Sequence, residues 1–110
     1  MKFKTLIYNM EKLVPHYKLD TIKFLINNNK YKITAITYFN AKKDFNFNHK
    51  DIIEKVKLLK EKDFYKSMTS HNNHTIWQDV YHLSLNSNKQ AYIKLQIVDG
   101  KSIIIQFKEK

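Results

Sequence analysis

The sequence predicts an α+β domain of two layers, with N-terminal helices packed on one face of a C-terminal antiparallel sheet. Three observations predict it. Apolar residues recur at helical spacing ahead of residue 60. Alternation of period two takes over after Lys66. The last two alternating runs can be paired so that their apolar residues share one face, which helices must then cover. With 110 residues, 43% of them hydrophobic, the chain reads as one domain over residues 1–110 with enough apolar content for one core.

Met1–Asn9 is short and mixed, an N-terminal arm or an edge strand. From Leu19 to Asn27 the residues Leu19, Ile22, Leu25 and Ile26 make a helical stripe. Pro15 stops any earlier helix, and the run Asn27-Asn28-Asn29 ends this one. Tyr31–Phe39 admits two readings. Its β-branched residues favour a strand, while Thr34 as an N-cap followed by Ala35, Tyr38 and Phe39 makes a helix. Asn48 caps a clearer helix with Asp51 in its first turn, where the helix dipole favours an anion. Ile52, Ile53, Val56 and Leu59 are its buried stripe, and Lys50, Lys55, Lys57 and Lys60 lie off it.

Thr75–Leu83, Gln90–Val98 and Ser102–Lys108 read as strands, the last two joined at Val98-Asp99-Gly100. A two-residue Asp-Gly turn mixes core and solvent residues on both faces. A three-residue loop closed by Gly100 pairs Ile97 with Lys101, Leu95 with Ile103, Ile93 with Ile105 and Ala91 with Phe107, so the bulged hairpin is the expected one. The other face then presents Tyr92 opposite Gln106, Lys94 opposite Ile104 and Gln90 opposite Lys108, with Tyr92 and Lys108 as diagonal neighbours.

Charge and composition narrow the function. Twenty basic residues against ten acidic ones give +10, the footprint of a polyanion binder. The abundance of Lys and Asn also fits a compositional bias that raises charge without selection for binding. Every basic residue is Lys. The bidentate Arg contact to guanine is therefore missing, which disfavours a sequence-specific reader of duplex DNA and suits a protein that grips phosphates and unstacked bases. No cysteine is present, so disulfide scaffolds, zinc ribbons and thiol nucleophiles are excluded. No apolar run approaches the roughly 18 residues of a membrane span. Met1–Met10, interrupted by Lys2, Lys4 and Asn9, does not read as a signal peptide, so a cytoplasmic protein without membrane partners is expected.

Specific motifs follow. Asp63-Phe64-Tyr65-Lys66-Ser67-Met68-Thr69, then His74-Thr75-Ile76-Trp77-Gln78-Asp79-Val80-Tyr81, then Tyr92-Ile93-Lys94 and the ending Phe107-Lys108-Glu109-Lys110 closely resemble the MqsR family, the motility quorum-sensing regulator toxins of type II toxin–antitoxin systems. The likeness runs from about Met10 to the end. Residues 28–47 match weakly, and His82-Leu83-Ser84-Leu85-Asn86 lacks the basic and proline character of the family there. The resemblance implies a RelE-like ribonuclease fold and a helix over Thr34–Lys43. It also implies an enzyme that cuts single-stranded mRNA at GC-containing sites without the ribosome, and a separate, MqsA-like antitoxin that silences it. No cofactor and no metal are implied.

By the same resemblance the functional residues are Lys66, Gln78, Tyr92 and Lys108. Cutting RNA with its own 2′-hydroxyl needs a base for that proton, a cation for the pentacoordinate phosphate and an acid for the leaving 5′ oxygen. Lys66 and Lys108 are the candidates for phosphate stabilisation, and Tyr92 for acid or base. Clustered lysines lower one another's pKa, which offers a second route to a base. Gln78 orients the phosphate or reads a base edge, although alternation alone does not settle which way it points. Lys94, Gln106 and His74 are secondary RNA-binding candidates. His71, His74 and His82 form a rival acid–base set, because histidine titrates near neutrality. Trp77 is expected in the core or facing an antitoxin. Two other functions share the scaffold: a non-catalytic RNA-binding module, and a basic interaction protein that docks an acidic partner.

Overall fold

The computed structural model describes residues 10–110, so the expected arm Met1–Asn9 lies outside the described residues. Three helices pack on one face of a six-stranded, mostly antiparallel sheet among the described residues, the predicted α+β arrangement. The strands are β1 (Glu11–Lys12), β2 (Tyr31–Ile33), β3 (Phe64–Thr69), β4 (Trp77–Ser84), β5 (Gln90–Val98) and β6 (Lys101–Glu109). Across the sheet they run β1-β3-β4-β5-β6-β2, with β2 alone parallel to its neighbour, β6.

Helix α1 (Leu19–Asn27) buries Leu19, Ile22 and Ile26. The asparagine run stops it through Asn29, which takes a left-handed φ of 60°. Asn29 N–H then bonds the Ile26 carbonyl and Lys30 N–H the Leu25 carbonyl, so the last carbonyls of the helix are satisfied. The ambiguous segment resolves into both readings, divided at Thr34. Tyr31–Ile33 is strand, and Thr34 caps helix α2 (Ala35–Phe45) by accepting from the Thr37 amide. Helix α3 (His49–Lys57) starts with a full capping box between Asn48 and Asp51. Its expected stripe, Ile52, Ile53, Val56 and Leu59, is buried. These residues meet Tyr81, Ile93, Leu95, Ile104 and Phe107 from the sheet in one core.

The hairpin corrects the sequence reading. The turn is the two-residue Asp99-Gly100 loop, both residues left-handed with φ of 51° and 72°, and it pairs Val98 with Lys101. The extra residue sits inside β6. Leu95 pairs with Ile104 and Lys94 with Gln106, so Ile105 is a bulge, and beyond it Ile93 pairs with Phe107 and Ala91 with Glu109. The bulge performs the face change that the sequence reading assigned to the turn, bringing Ile104 and Phe107 onto the same buried face. Helix α2 holds the irregular stretch: Thr34 Oγ1 donates to the Ile105 carbonyl at 3.3 Å and Thr37 Oγ1 to the Ile104 carbonyl at 3.0 Å. A two-residue loop with both positions left-handed matches the twist of the strands it joins, and these two hydroxyls hold the bulge that it requires.

Other differences are local. β4 begins at Trp77 rather than Thr75, because Asn73 Oδ1 accepts from both the amide and the hydroxyl of Thr75 and holds those residues in a turn. β3 lies where the sequence reading names no strand, its alternation interrupted by a bulge at Tyr65 between Phe64 and Lys66. No described helix is long and apolar enough to cross a membrane.

Candidate active site

The sheet face away from the helices gathers most of the residues that the sequence analysis singles out. Ladder partners in an antiparallel pair point to the same side, so the register builds the site rung by rung. One rung crosses the sheet as Lys66, Val80, Lys94 and Gln106. The next is His82, Tyr92 and Lys108. Gln78, paired with Met68, lies beyond the first rung and donates its amide to Gln96 Oε1 at 3.0 Å. The direction of Gln78, open from alternation, is thereby settled. It shares the face of Lys66 and Lys94, while Asp79 and Tyr81 turn to the helix side.

Tyr92 and Lys108 are direct partners rather than diagonal ones, a consequence of the bulge at Ile105. The Lys108 amine lies 5.2 Å from the centre of the Tyr92 ring and that of Lys94 5.9 Å from it. Burial raises the Tyr92 phenol above its ordinary pKa, with the Lys66 charge opposing and Tyr65 and Glu11 reinforcing the shift. The group is therefore a protonated phenol at neutral pH, a donor in waiting. Lys94, half-buried, is displaced the other way. Burial comes first among the causes, then the charges of Lys108 and Lys66, all weakening its ammonium form.

Lys66 corrects part of the expectation about clustered lysines. Its amine bonds Glu11 Oε2 at 2.6 Å, and this bond raises its pKa. The lysine whose proton is weakened is Lys94, with burial the larger cause and like charge the smaller. Glu11 is a component that the sequence analysis does not supply. It reaches the site because β1 pairs with β3, with Glu11 opposite Met68. The segment leading from β1 is tied down by buried Asp79, whose carboxylate accepts from the His16 and Tyr17 amides at 2.9–3.1 Å.

The bulge in β3 adds another component. Phe64 points to the core, and both Tyr65 and Lys66 follow onto the open face. The Tyr65 ring stacks on His82 at 4.3 Å, and the Lys66 amine is 5.5 Å from its centre. Of the three rival histidines, His82 stands on this face. Its imidazole is lowered below its usual pKa by burial and by the Lys110 charge. His71 and His74 lie between β3 and β4, ahead of the opposite end of β4. Gln106 Oε1 is already engaged, accepting from Asn40 Nδ2 at 2.9 Å and from the Phe107 amide at 3.1 Å. Trp77 is half-buried, with His16 stacked at 5.6 Å and the Lys12 amine 4.3 Å from its ring. Among the described residues no group of three His, Asp or Glu side chains is placed to hold a metal ion.

Chemically, the face offers three lysine amines around a half-buried phenol, with one carboxylate bound to the first of them. Such a face can hold a phosphodiester and deliver a proton to it. Known proteins align with the chain over the strands that carry these groups. The sequence family described as "Motility quorum-sensing regulator, toxin of MqsA" matches residues 14–109. The chain is also 38% identical over 101 residues to the "mRNA interferase toxin MqsR" of Escherichia coli (strain K12), covering 92% of this chain and 100% of that protein.

Proposed function

The chain belongs to the MqsR toxin family, and we propose that its open sheet face is the active site of a toxin–antitoxin endoribonuclease that cuts single-stranded mRNA by attack of the RNA's own 2′-hydroxyl. The observation that carries this reading is the direct pairing of Tyr92 with Lys108, flanked by Lys94 and Lys66 on the same face. Lys66 and Lys108 hold the phosphate and offset the charge that builds on its equatorial oxygens. Tyr92 gives its proton to the departing 5′ oxygen; its phenol, raised above the ordinary pKa, holds that proton at neutral pH. The 2′ proton passes to the lysine cluster, in which burial and the charges of Lys108 and Lys66 weaken the ammonium form of Lys94. Gln78, steadied by Gln96, orients the substrate, and Gln106 lies on the same sheet face, opposite Lys94. His74 contacts RNA further along the strand path.

The balance closes without a metal: the 2′ oxygen bonds phosphorus, the 5′ oxygen leaves with a proton, and the products are a 2′,3′-cyclic phosphate and a 5′-hydroxyl. The preference for GC-containing sites, independence of the ribosome, a cytoplasmic location and silencing by an MqsA-like antitoxin come from the family. A defined transcript incubated with the protein in EDTA, with both new ends mapped, tests the reading. Discrete cuts with those termini are expected. Intact RNA with salt-sensitive binding would make the chain an RNA-binding module. Tight binding of an acidic protein with no RNA affinity at low salt would make it an interaction protein.

A further inference from the structure

The cleavage chemistry leaves the stacked pair Tyr65 and His82 unused. Their ring centres are 4.3 Å apart with 24° between planes, and His82 in turn leans on Tyr92 at 6.0 Å. The imidazole covers one face of the phenol, yet Tyr65 is still 49% exposed. The ring packs against His82 while about half of the residue stays open to solvent, so packing alone does not use it up. The β3 bulge delivers the Lys66 amine to the same spot, 5.5 Å from the ring centre. An exposed aromatic face beside a phosphate-binding cation is what an unpaired nucleotide requires, since every base has a stacking face and every linkage a negative charge.

We propose that the outer face of Tyr65 is a stacking platform for one unpaired nucleobase, with Lys66 gripping that nucleotide's phosphate and His82 holding the ring at its angle from behind. The platform rests on the reading of this face as a site for single-stranded RNA. It places a base subsite next to the Tyr92–Lys108 pair, so the nucleotide it holds neighbours the linkage to be cut. Stacking of this kind is tolerant of sequence, so the platform contributes affinity and registration rather than the choice of base.

The test uses the intact protein and a short single-stranded oligonucleotide that is 2′-fluoro throughout and therefore uncuttable, with one abasic site walked along it. One abasic position is expected to weaken binding to the native protein roughly tenfold, the scale of one base–aromatic stack. That penalty should shrink to less than about twofold in Tyr65→Ala and persist in Tyr65→Phe. Tyr65→Leu keeps side-chain bulk without an aromatic face and should behave as the alanine variant does, which covers the case in which Tyr65→Ala fails to fold. A penalty unchanged in the alanine or leucine variant, or no penalised position in the native protein, overturns the platform. The assay is independent of cutting: a protein that shows the penalty but leaves ordinary RNA intact keeps the platform and loses the enzymatic reading, and one that cuts RNA with no penalty does the reverse.

Discussion

Tyr92 and Lys108 stand opposite each other in the β5–β6 ladder, the lysine amine 5.2 Å from the centre of the phenol ring. A proton donor and a cation within one nucleotide's reach are two of the three groups that metal-free cleavage requires, the third being a base for the 2′ proton. Tyr92→Phe, which removes only the hydroxyl, should lower kcat by about 100-fold or more, the scale of general acid catalysis. Lys108→Ala should lose a similar factor. Single-turnover cleavage with unfolding curves run alongside checks both. A Tyr92→Phe protein that cuts at the native rate would take the acid role away from Tyr92, and His74→Ala abolishing activity while Lys66, Tyr92 and Lys108 tolerate substitution would move the chemistry to histidine.

Glu11 occupies Lys66, the cation proposed for the phosphate. The Lys66–Glu11 pair stays in reach of solvent, with side-chain exposures of 22% and 51%, so it has the modest worth of a surface ion pair. Glu11→Gln should therefore lower KM for RNA by up to about fivefold, the equivalent of at most about 1 kcal/mol. A higher KM would mean that the carboxylate positions Lys66 for substrate instead of competing with it.

His82 makes stability depend on pH in a defined direction. Burial and Lys110 lower its pKa in the folded protein below 6.5. Between the lowered value and 6.5 the unfolded chain binds more protons, so stability rises with pH through that window and is lost on acidification. His16, also lowered, contributes in the same direction. Urea unfolding of native protein and His82→Gln at neutral pH and at pH values below 6.5 isolates the His82 share. The substitution should cost less stability in acid than at neutrality. Equal costs at both would remove the linkage.

Asp79 anchors the chain that brings β1 to the site. Asp79→Ala leaves the amides of His16 and Tyr17 without their acceptor, and should cost about 3 kcal/mol, the scale of hydrogen bonds to a buried charge. Asp79→Asn keeps one acceptor oxygen and should cost less. Chemical denaturation measures both.

Two further features divide cleanly between local and non-local causes. Helix α3 was legible because its cap, its first-turn acid and its stripe of Ile52, Ile53, Val56 and Leu59 lie within a dozen residues of one another. β3 was not, because a bulge at Tyr65 breaks the alternation by which a strand is recognised. The face shared by Tyr92, Lys94, Gln106 and Lys108 was foreseen although the register was not. Apolar pairing decides which side is buried, and a bulge at Ile105 restores that side wherever the turn begins.

The sequence by itself determined the α+β class, the positions of the helices, the family and the lysine-and-phenol composition of the open face, because periodicity, caps and motifs are properties of short stretches. Tertiary structure alone decided that Ile105 bulges under the hydroxyls of Thr34 and Thr37, that Glu11 meets Lys66, that Tyr65 lies on His82, and that Lys94 is the amine with the weakened proton. Each of these depends on groups from separate strands or helices, and a bond between distant segments or a loss of solvent exists only once the sheet has closed.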